Sequence, residues 1–77
     1  MNILEYINKL DKVEVVKTKL ADYEQLRSDN IIKMSEALGN SEEMEQGVAL
    51  ETLYSGCMVS LQRVLIKLYE DILDRGV

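Results

Sequence analysis

The sequence predicts an all-α protein: an antiparallel hairpin of two long helices, preceded by a short N-terminal helix and completed into a bundle by oligomerisation. Three observations carry this. Proline is absent and glycine occurs four times in 77 residues, so little interrupts a helix. Leu, Ile, Val, Met, Glu and Lys dominate, and apart from β-branched Ile and Val these lose little rotamer freedom in a helix. Apolar residues recur at intervals of three and four on both sides of one turn signal.

The first element is a helix over about residues 3–10. Asn2 offers an N-cap and Glu5, three residues later, completes the capping-box spacing. Ile3, Ile7 and Leu10 form its stripe. That stripe is rotated roughly a quarter turn from the one that follows, at ~100° per residue. The phase change near Asp11-Lys12 predicts a bend.

A long helix over residues 12–38 comes next. Val13, Val16, Leu20, Tyr23, Ile31, Met34 and Leu38 are expected on its inner face. Gly39 then suits the left-handed position that ends a helix. Asn40 or Ser41 can cap the next one. Glu42, Glu43 and Glu45 add negative charge at its positive dipole end. The turn is expected at residues 39–40.

The last helix is expected over residues 41–74. Leu50, Tyr54, Cys57, Leu61, Val64 and Leu68 suggest a seam, widened by Met58, Leu65 and Ile72. Val59, Ile66 and Leu73, with Tyr69 beside them, form a further column on another side. One partner helix cannot cover both faces. Val59, Ile66, Tyr69 and Leu73 are therefore the expected oligomer or partner interface, with a two-fold dimer forming a four-helix bundle favoured.

Residues 1–77 are read as one domain. A chain this short is marginal alone and needs staples, regular packing or a partner. Cys57 is the sole cysteine and histidine is absent, so neither a disulfide nor a zinc staple is expected. No nucleophile elbow, Gly-rich phosphate loop or His-based site is present. The expectation is no enzyme, no cofactor and no metal.

Net charge is −5. Residues 1–38 carry six Lys/Arg against seven Asp/Glu, and residues 39–77 three against seven. Nucleic-acid binding is not expected, because it needs clustered cations. No apolar run approaches a membrane span, and the start lacks a signal-peptide pattern. Cytoplasmic is the default location.

Some single residues invite sharper readings. Cys57 on the seam reads as a small core residue, since no histidine is available to activate it. Arg27 interrupts the inner stripe opposite Glu51. It is either an ion-pair partner of Glu51 or an anchor for an anionic ligand. Gly47 and Gly56 inside the last helix point to a close packing contact or a bend.

The stretch Glu45-Gln46-Gly47-Val48-Ala49-Leu50-Glu51-Thr52-Leu53 with Met58 resembles, in its apolar spacing, the helical hairpin of phage proteins that sequester cyclic-nucleotide immune signals. The tryptophan and Ser/Thr-rich turn of that hairpin are missing here, and no residue role is carried over. Two functional expectations stand. One is a non-enzymatic interaction or self-assembly module. The other is a small phage-type inhibitor that binds an anionic ligand or a basic protein groove.

Overall fold

A computed structural model describes residues 2–75. Two α-helices account for nearly all of them: α1 (Ile3–Glu36) and α2 (Ser41–Arg75). They lie side by side as a hairpin whose Cα envelope measures 57 × 15 × 12 Å.

Both helices begin as the sequence predicts. The Asn2 side chain accepts from the Glu5 backbone N–H at 2.9 Å. Asn40 does the same for α2, accepting from the Glu43 N–H at 3.2 Å. Each satisfies one of the donors a helix start leaves free. Between the helices, the Ala37 N–H closes α1 onto the Lys33 and Met34 carbonyls. Gly39 takes φ of +93°, which L side chains rarely adopt.

The expected short helix over residues 3–10 is not there. α1 runs unbroken through Asp11-Lys12. Neither residue breaks a helix, and the inner face is in fact continuous. Tyr6, Lys9, Val13, Val16, Leu20 and Tyr23 face α2, spaced alternately by three and four; all are buried or half-buried. Beyond Arg27 the same spacing continues with Asn30, Met34 and Ala37. This is the heptad seam of helices that wind around each other. Ile3, Ile7 and Leu10 are off that seam and exposed.

The seam also differs from expectation elsewhere. Ile31 and Leu38 are exposed, and Asn30 and Ala37 hold the inward positions instead. Stepping from Tyr23 to Arg27, Asn30, Met34 and Ala37 keeps the 3.5-residue average that a hairpin seam requires. In α2 the seam is Met44, Gly47, Glu51, Tyr54, Met58, Leu61, Leu65, Leu68 and Ile72, again alternating three and four. Leu50 and Val64, expected on it, are exposed flanking residues.

The apolar core lies in the half away from the turn. Val13, Val16 and Leu68 are its buried residues, with Leu20, Leu61, Leu65 and Ile72 packed against them. Among the described residues no side chain falls below 2% exposure. Two helices enclose a line of contact, not a volume, so every core side chain keeps an edge open.

Candidate functional site

Two features stand out: a polar stretch midway along the seam and an apolar flank outside it. The polar stretch begins at Tyr23 and Tyr54, whose rings lie 6.2 Å apart and tilted by 49°. Cys57 lies against Tyr23. Their hydrogen bond, then the charge Cys57 carries when ionised, then burial and Tyr54, hold the Tyr23 hydroxyl above its ordinary value of 10.0.

One turn on, Arg27 Nε meets Glu51 Oε1 at 2.6 Å. The Ser55 hydroxyl donates to the same oxygen at 3.1 Å. Glu51 Oε2 is enclosed without a partner. Next comes Asn30, 6% exposed, whose Nδ2 donates to the Gly47 carbonyl at 2.8 Å. A Cβ on Gly47 would collide with Met34 Cγ and sit 3.0 Å from its Sδ. The helices approach closely here because position 47 has no side chain. The same test at Gly56 meets nothing within 4 Å, so only one of the two helical glycines marks a close contact.

This stretch joins the helices through the Arg27–Glu51 and Asn30–Gly47 contacts. The Arg27 side chain, read from sequence as either ion-pair partner or ligand anchor, is placed on Glu51. Among the described residues no group of three or more His, Cys, Asp or Glu gathers where a metal ion could be held. No helix is long and apolar enough to cross a membrane.

The flanks are more informative. Shallow grooves pair Lys12 and Val15 with Val64, Lys19 with Leu53 and Cys57, and Lys33 and Glu36 with Glu43, Gln46 and Leu50. These residues therefore share one side of the hairpin. It is heavily charged, with Lys12, Lys19, Asp22, Lys33, Glu36 and Lys67 among its positions.

The opposite side is formed by the remaining flanking positions of each helix. From α2 it carries Val59, Ile66, Tyr69 and Leu73, the column singled out in the sequence; all four are exposed. From α1 it carries Ile3, Ile7 and Leu10, also exposed. The ion pair of Lys9 with Asp71, 3.2 Å apart, places the two groups at the same end. The stripe that looked like a separate helix is thus the other half of one apolar face. Only the phase relation of Ile3, Ile7 and Leu10 to Tyr6 and Lys9 could have revealed this, and Lys9 does not score as apolar. Ile31, Leu38 and Val48 extend the same side near the turn.

No family model, curated protein or solved structure matches the chain.

Proposed function

We propose that this chain is a non-enzymatic helical interaction module that acts by presenting an apolar flank to another helix surface. The carrying observation is the quantity of large apolar side chain outside the seam. Ile3 is 66%, Ile66 57% and Leu73 80% exposed. They share one side of the hairpin with Ile7, Leu10, Val59 and Tyr69, and apolar groups of this kind mark interaction surfaces. Along the seam, Arg27 pairs with Glu51, Lys9 with Asp71 and Asn30 with the Gly47 carbonyl.

The test combines light scattering with binding of ANS, a dye that reports exposed apolar surface. An assembled species, or a folded monomer that binds the dye, supports the reading. A cooperatively folded monomer that binds none would overturn it, because the flank would then be inert. A sequestering role for a small anion is the competing reading. It predicts a rise in melting temperature with an anionic nucleotide.

A further inference from the structure

We infer that Met34 is a redox-sensitive modification site: oxidation of its thioether by a hydroperoxide loosens the close approach of the two helices at Gly47. The inference is independent of the apolar flank.

Several contacts meet at this sulfur. Met34 lies across α2 where position 47 has no side chain, and a Cβ built there would stand 3.0 Å from Sδ and 3.6 Å from Cε. Asn30 Nδ2 donates to Sδ at 3.7 Å and to the Gly47 carbonyl at 2.8 Å. Asn30 and Gly47 are buried, whereas Met34 is half-buried. On the charged side of the hairpin, Met34 lines a groove of about 400 Å³ with Lys33, Glu36, Glu43 and Gln46. A small peroxide fits such a groove, since a water occupies only about 30 Å³.

The chemistry is a two-electron oxygen transfer. A lone pair on Sδ attacks one oxygen of hydrogen peroxide. The S–O bond forms as the O–O bond breaks, and the departing hydroxide takes the proton from the transferred oxygen to become water. Sulfur gives up two electrons and the peroxide gains them. The product, methionine sulfoxide, replaces a flexible apolar group by a polar one. Two effects then act on one contact. The added oxygen needs space at a sulfur already seated over Gly47, and filled contacts resist added atoms. It is also a stronger acceptor than a thioether, which accepts only weakly. It therefore competes with the Gly47 carbonyl for the buried Asn30 amide.

Met44 and Met58 also lie half-buried on the seam, so the experiment separates the three. The full chain is treated with hydrogen peroxide, folded and in urea, and the sulfoxides are mapped by mass spectrometry. Urea unfolding is then measured on parent, Met34→Leu, and Met44→Leu with Met58→Leu. Exchange of Met for Leu keeps volume and is well tolerated. Oxidation should raise the unfolding constant about tenfold in the parent and in the Met44, Met58 double variant. Met34→Leu should change far less. Methionine sulfoxide reductase should restore the original midpoint. If Met34→Leu does not fold, partly oxidised parent is separated at its urea midpoint, and Met34 sulfoxide should be enriched in the unfolded fraction. A Met34 that is oxidised in urea but resists peroxide when folded overturns the inference. So does a Met34 sulfoxide that leaves the midpoint unmoved or spreads equally between the two fractions. An equal loss in Met34→Leu overturns it as well, by placing the effect at Met44 or Met58.

Discussion

Replacing Gly47 by alanine and Gly56 by alanine should shift stability in opposite directions, although both glycines sit inside α2. Either change removes backbone freedom from the unfolded chain and gains about 1 kcal/mol of helix propensity. At Gly56 nothing lies within 4 Å of the new Cβ, so the gain is kept. At Gly47 the methyl overlaps Met34 Cγ and comes within 3.0 Å of Sδ. Met34 must repack or the helices must separate, at about 1–3 kcal/mol. Separation also lengthens the 2.8 Å bond from Asn30 to the Gly47 carbonyl, worth about 1 kcal/mol. Gly47→Ala should therefore destabilise by about 1–3 kcal/mol, and the two variants should differ by about 2–4 kcal/mol. On melting curves that is a separation of about 8–32 °C, at about 4–8 °C per kcal/mol for a chain this size. Urea denaturation followed by circular dichroism, at one matched protein concentration, measures it. Equal stabilisation by both substitutions would refute the close approach of the helices at Gly47.

The polar stretch and the tyrosine pair make two further predictions. Arg27→Ala strips Glu51 of its cation and should cost about 1–2 kcal/mol in urea unfolding, less than a fully buried pair because Arg27 is partly in solvent. Arg27→Leu with Glu51→Leu should recover that loss or exceed the parent, since an apolar pair removes both desolvation penalties; a double variant weaker than Arg27→Ala alone would count against this account. Tyr23 ionises in the folded state above its ordinary value of 10.0. Its stabilising contribution is complete below that pH and is lost as pH rises through the folded value. Urea midpoints from about pH 9 to about pH 11 should fall less steeply in Tyr23→Phe than in the parent. Parallel slopes would show that the Cys57 contact does not hold the hydroxyl.

The hairpin was legible because its signals are local. Gly39 needs one backbone conformation, and Asn2 and Asn40 cap through their own side chains. The seam was legible in part. Val13, Val16, Leu20, Leu61, Leu65 and Leu68 are aliphatic and revealed their spacing. Tyr6, Lys9, Asn30 and Glu51 occupy the same line but do not read as core. Lys9 lays its stem along the seam and sends its amine to Asp71. Without those positions, Ile3, Ile7 and Leu10 looked like a helix of different phase. The apolar column in α2 was visible from its spacing, but its continuation onto α1 depends on the register between helices. That register is a tertiary quantity, visible in pairs such as Lys9 with Asp71 that are 62 residues apart.

The placement of the turn also orders the events of folding. Contacts beside Gly39 and Asn40 close loops of only a few residues, whereas the open end joins positions separated by most of the chain. Loop-closure entropy rises with that separation, so closing from the turn outward is the order that costs least chain entropy. Backbone amides near Asn30 and Gly47 should exchange with solvent more slowly than those near Tyr6 and Ile72 unless something clamps the far end. The apolar flank proposed as an interaction surface lies at that far end. Association there would act as the last tooth of the zipper, converting a one-sided gradient of protection into a molecule held shut at both ends.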